Sequence, residues 1–191
     1  MFRRGLLRRP FRPIAPIGEA GRLALRQANQ LKDAGEYTQA AEIFERVAQR
    51  MEYQRRPNRA ALLYLQSGHC HLLAAQPDSA VQLAKRGLSL LIHVQRWQAY
   101  SQRANLMAQE LNRLGYTKQA MEIQTWLNQE VALRPDRLPD FAPAQPIQKP
   151  ASRLPGKCPY CGATLRSDMA EWIDDANAEC PYCGSAVQAA G

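Results

Sequence analysis

Gly35-Glu36-Tyr37-Thr38-Gln39-Ala40 returns as Gly115-Tyr116-Thr117-Lys118-Gln119-Ala120, and Ala75-Gln76-Pro77-Asp78-Ser79-Ala80 stands midway between them. Each hexamer reads as a joint between two helices. It offers a residue suited to ending one helix, a polar or proline start for the next, and a small alanine where that helix packs. The repeat distance of about 80 residues thus halves to about 40, room for one helix pair. Between the joints, Gly18 to Val131 is rich in Ala, Leu, Gln and Arg and almost free of internal proline. Pro57 and Pro77 fall near helix starts, where a missing N–H does least harm. The pattern predicts helices over 18–33, 37–53, 57–74, 77–92, 95–113 and 117–131. Their expected apolar stripe comprises Leu23, Leu31, Ala40, Ile43, Phe44, Val47, Leu62, Leu63, Leu65, Leu72, Val81, Leu83, Leu88, Leu91, Leu106, Leu111, Met121 and Trp126.

The first unit resembles a tetratricopeptide repeat, with Ala28, Gly35, Tyr37, Ala40 and Phe44 in that motif's order and approximate spacing. The second unit keeps Gly68 and Ala80, and the third keeps Ala108, Gly115 and Ala120. The unit length of about 40 departs from the standard of about 34 and implies longer helices or loops. The resemblance spans roughly 115 residues; the competing reading is another kind of helical bundle. It implies stacked antiparallel helix pairs whose first helices line a concave peptide-binding face. That family's groove positions fall on Arg22, Arg26, Asn29, Lys32, Gln66, His69, Gln102, Asn105, Gln109, Asn112 and Arg113. These are polar and basic, with no acid among them, which suits peptide backbone and carboxylates such as those of an acidic peptide. The bland alternative is a solvated face.

The tail carries Cys158-Pro159-Tyr160-Cys161-Gly162 and Cys180-Pro181-Tyr182-Cys183-Gly184, with eighteen residues between the inner cysteines. This C-x2-C-x18-C-x2-C spacing is that of a four-cysteine zinc site, with Cys158, Cys161, Cys180 and Cys183 as ligands. Iron fits the same tetrahedral sulfur cage and would make a rubredoxin-like electron carrier, the minor alternative. Lys157 to Gln188 resembles a zinc ribbon, which implies short strands around Ala163–Arg166, Glu171–Ile173, Asn177–Glu179 and Ser185–Gln188. Four thiolates leave no open coordination position, so the expected role of the metal is structural. Cys70 stands alone in a helical stretch and reads as a small buried hydrophobe. His69 and His71 beside it point in different directions on a helix and do not read as a metal pair.

The fold class expected is mainly α: a basic arm over 1–17, helical repeats over 18–132, a proline-rich linker over 133–156 and a β zinc ribbon over 157–191. Charge is segregated among these parts. Met1–Pro13 carries +5, Leu133–Lys157 carries +3, and the tail from Cys158 onward carries −4. An acidic ribbon is poorly suited to gripping phosphates. It is suited to docking on its own basic groove, where it would compete with an external acidic partner. Tyr160, Trp172 and Tyr182 are contact candidates on the ribbon, with Trp172 read rather as a shield for its small core. The sequence lacks a nucleotide-binding glycine loop, a nucleophile elbow and a zinc-protease helix motif. The reading is a non-enzymatic, cytoplasmic protein–protein interaction adaptor. The alternative is a nucleic-acid-associated protein that uses the arginine arm.

Overall fold

The computed structural model describes residues 17–95, 97–133, 153–167, 170–174 and 176–189. The arginine arm and most of the proline-rich linker lie outside the described residues. Six helices follow in order: α1 (Glu19–Asp33), α2 (Tyr37–Tyr53), α3 (Pro57–Leu73), α4 (Pro77–His93), α5 (Trp97–Arg113) and α6 (Thr117–Ala132). They pack on their sequence neighbours. A small antiparallel sheet then forms from β1 (Glu171–Trp172), β2 (Asn177–Glu179) and β3 (Ala186–Gln188), with β2 in the middle.

The joints are more regular than the hexamers alone reveal. Helices α2 to α6 begin at residues 37, 57, 77, 97 and 117, so the chain turns every twenty residues. Gly35, Arg55, Ala75, Gln95 and Gly115 all adopt positive φ just before these starts. The N–H of each returns to a carbonyl of the helix just ended, at 2.9–3.1 Å. At four joints the next N–H reaches the carbonyl one residue further back, as in Arg56 to Met51 and Gln76 to His71, both at 2.9 Å. These paired bonds close the helix ends and fix the reversal. Three joints, at Arg55, Ala75 and Gln95, escape a search for glycine because non-glycine residues occupy the left-handed position there.

The alanine after each joint is the second constant. Ala40, Ala60, Ala80 and Ala120 are buried where a larger side chain would push neighbouring helices apart. Tyr100 holds the corresponding place in α5 and meets Trp126 of α6 edge-on, with ring centroids 6.5 Å apart. Helix α3 is buried on most of its circumference, through Ala60, Ala61, Leu63, Tyr64, Leu65, Ser67, Gly68, Cys70 and Leu72. It therefore contributes to two cores. One joins α1, α2 and one side of α3 to the cysteine-bearing tail, and the other joins α4, α5 and α6 to the opposite side of α3.

Three members of the expected stripe are not in either core: Leu23, Leu106 and Met121 are 54%, 55% and 66% exposed. Small residues outside the expected stripe, Ala28, Ala41, Ala84 and Ala104, are buried instead. Ala163–Arg166 is not a strand. It contributes one isolated bridge, between Thr164 and Lys157, because the knuckle closes there through local hydrogen bonds instead.

Candidate metal centre and the inner helix face

The two CPYCG units fold alike. The N–H of Gly162 donates to the Cys158 carbonyl at 2.9 Å, and that of Gly184 to the Cys180 carbonyl at 2.8 Å. The Cys158 N–H donates to Ala163 and the Cys180 N–H to Ser185, at 2.8 and 2.9 Å. Gly162 and Gly184 both take positive φ, which turns each knuckle back on itself. The result is four buried sulfurs that all lie within 4.8 Å of one another. Cys158 and Cys183 are 3.8 Å apart, as are Cys161 and Cys180.

That separation tests the fit of a metal. A tetrahedral ion with bonds of about 2.3 Å to thiolate places its ligands about 3.8 Å apart. The four sulfurs fit such an ion, and Cys183 Sγ also lies 3.4 Å from the Ser185 hydroxyl. Without a cation, so compact a set cannot ionise uniformly. Hydrogen bonds with Cys158 hold Cys183 below the ordinary thiol range and push Cys161 and Cys180 above it, while Cys161 lowers Cys158. A divalent ion resolves this conflict by stabilising all four thiolates. Cys70 is not part of the cluster; burial in the helical core pushes its thiol up to about 11.

The knuckles do not stand free of the helices. Arg26 of α1 donates to the carbonyls of Pro159 and Tyr160 at 3.2 and 3.0 Å. Asn29, buried on the same helix, donates to the Cys161 carbonyl at 3.0 Å. On the second knuckle, the Ile17 N–H donates to the Cys183 carbonyl at 3.0 Å. Gln66 of α3 donates to the Tyr182 hydroxyl at 3.0 Å. Lys157 pairs with Asp33 at the end of α1, which holds the Asp33 carboxyl below the usual range. The strongest tie is Arg59 of α3 to Glu179 of β2, an ion pair at 2.5 Å whose side chains are 5% and 11% exposed. Gly184 lies under the Arg59 guanidinium so closely that a Cβ there would fall 1.9 Å from a guanidinium nitrogen.

The groove residues expected from the sequence are thus divided. Arg26, Asn29 and Gln66 contact the tail, while Arg22 donates to the Ile17 carbonyl at 3.1 Å and so steadies the segment that meets Cys183. Lys32 and His69 line an open cleft of about 350 Å³ on the same face, with Leu65, Gln66, Arg103, Leu106, Met107 and Glu110. Gln102, Asn105, Gln109, Asn112 and Arg113 are exposed and are not among its lining residues. The α5 side of the groove is therefore displaced in register: its members are Arg103, Leu106, Met107 and Glu110. One residue of helix is a rotation of about 100°, enough to exchange the face. An acid, Glu110, does belong to this face. It accepts from Arg113 at 2.6 and 3.0 Å, and this lowers its carboxyl below the ordinary range.

Of the ribbon aromatics, Tyr160 is exposed, but Tyr182 is not: it is buried against α3 as an internal contact. Trp172 is partly buried and donates to the Ser167 carbonyl at 3.2 Å. Arg59, the buried anchor, was missed by sequence reasoning, since an arginine in a first helical turn ordinarily faces water. Among the described residues no helix is long and apolar enough to cross a membrane. Comparison of the chain with protein-family models, curated proteins and solved structures finds no match.

Proposed function

We propose that this protein is a non-enzymatic scaffold for protein–protein interaction, built from a tetratricopeptide-like helix array and a structural zinc ribbon. The observation that carries the reading is the seating of the knuckle backbones on the inner face of α1 and α3, with the rest of that face open. A closed four-thiolate set leaves no position for substrate or water, so the metal serves shape rather than reaction. Zinc is the ion we assign, because four thiolates in tetrahedral array suit it and it brings no redox chemistry. The docked tail occupies this face at Arg26, Asn29 and Gln66, and the open cleft begins beside it at Lys32 and Gln66.

Affinity capture tests this reading, using the full chain, a Leu106→Glu/Arg103→Glu variant and a Cys158→Ser/Cys180→Ser variant. Partners of the inner face should be lost with the first variant and weakened with the second. Identical partner sets for all three proteins would reject the scaffold reading of this face. Recovery of only nucleic acid, dependent on residues 1–13, would assign function to the arginine arm instead.

A further inference from the structure

We infer that the open cleft between α1, α3 and α5 binds a short peptide segment presenting a carboxylate beside a bulky apolar side chain. This rests on the scaffold reading above and names the chemistry of its partner. The cleft has an apolar floor made by Leu65, Leu106 and Met107, and Leu106 is exposed although it lies in mid-helix. Its volume of about 350 Å³ falls in the range of formed ligand sites, roughly 300–1,000 Å³. Lys32, His69, Arg103 and Glu110 make the polar rim. Both oxygens of Glu110 are engaged by Arg113, which offsets its charge, and Lys32 supplies the rim with a cation.

Continuity with the docked tail supplies the second argument. Lys32 and Gln66 line this cleft and also the small cavity beneath Ala163, Thr164 and Tyr182. The same two helices already hold a polypeptide there. Arg26 and Asn29 take main-chain carbonyls, Arg59 takes a carboxylate and Gln66 takes a phenol. The tail thus shows which groups this face accepts: carbonyl-rich backbone and acidic side chains. The open cleft adds a hydrophobic floor to that chemistry, so its occupant needs an apolar anchor as well as an acid.

The test uses the metal-loaded full chain and three short fluorescein-labelled peptides read by anisotropy. One interleaves Leu and Glu with Ser spacers, one has Lys in place of Glu, and one has Ser in place of Leu. The Leu/Glu peptide should bind, and each replacement should weaken it by roughly tenfold or more, the loss of one good contact. Leu106→Glu should abolish binding, whereas Thr125→Lys on the exposed side of α6 should leave it unchanged; helical circular dichroism checks that both fold. Equal binding of the Lys peptide, indifference to Leu106→Glu, or no binding at all would overturn the proposal. So would self-association of the chain that Leu106→Glu abolishes, which assigns the cleft to a second copy, or occupancy by a peptide of residues 134–152 in preference to the acidic one. Loss of captured proteins in the Leu106→Glu/Arg103→Glu variant, without acidic-peptide binding, would retain the scaffold reading and sink this one.

Discussion

The Arg59–Glu179 pair gives the sharpest test of how the tail is held. Opposite charges about 4 Å apart attract by about 4 kcal/mol at an effective dielectric constant of about 20. Both side chains are nearly sealed from water, at 5% and 11% exposure, so screening removes little of this. Removing one partner strands the other as a buried charge and costs about 3–5 kcal/mol. For a chain of this length that lowers Tm by roughly 6–20 °C. Glu179→Gln and Arg59→Met should each show this loss in thermal unfolding of the zinc-loaded protein, followed by far-ultraviolet circular dichroism. Arg59→Met/Glu179→Leu removes both charges together and should cost far less than the two single changes combined, because no unpaired charge remains. Metal content, measured alongside, should stay at one ion per chain in all three variants. Single losses below about 1 kcal/mol with no coupling in the cycle would show a solvated pair, and the account of the tail's attachment would fail.

Metal removal should unfold the sheet and also lower the Tm of the helices, since the carbonyls that accept from Arg26, Asn29 and Ile17 belong to the knuckles; an unchanged helical transition after chelation would separate the two parts. Cobalt(II) substitution should give the intense visible bands of a tetrahedral thiolate site, and their absence would deny the four-sulfur geometry. Gly184→Ala should undock the tail while Gly162→Ala should not. Both strain a positive φ, but only the first drives a Cβ into Arg59, and equal Tm losses would contradict this. Ala75→Gly and Gln95→Gly should each stabilise by about 0.5–1 kcal/mol and Gly115→Ala should destabilise by about 1 kcal/mol or more, since all three sit at positive φ. Denaturant midpoints measure these, and stabilisation by Gly115→Ala would refute the turn geometry.

The helices were legible because their joints carry local chemistry. Gly35, Gly115, Pro57 and Pro77 act on their own stretch of chain, and the helix limits fall within two residues of those expected. The cysteine cluster was legible for the same reason: each knuckle is a five-residue device whose cysteines announce themselves by spacing. What lay beyond the sequence depends on residues far apart. Arg59 is explained only by Glu179, 120 positions later. The rotation of α5 that replaces Gln102, Asn105 and Gln109 with Arg103, Leu106 and Met107 follows from packing against α4 and α6, not from the polarity of α5 itself. Charge segregation pointed toward contact between tail and array, but not to its chemistry, in which the Arg59–Glu179 and Lys157–Asp33 pairs stand beside N–H donors meeting knuckle carbonyls.

The tail's attachment also has a dimension in time. Its contacts join residues 116 to 166 positions apart, all reaching back to residues 17–66. At a synthesis rate of about 5–20 residues per second, Gln66 joins the growing chain roughly 6–23 s before Tyr182 exists to accept its hydrogen bond. During that interval α1 and α3 can pair with α2 and α4 while Arg26, Asn29 and Arg59 still face water. The nascent array therefore passes through a stage with its whole inner face exposed, and translation of the final knuckle, together with metal supply, ends it.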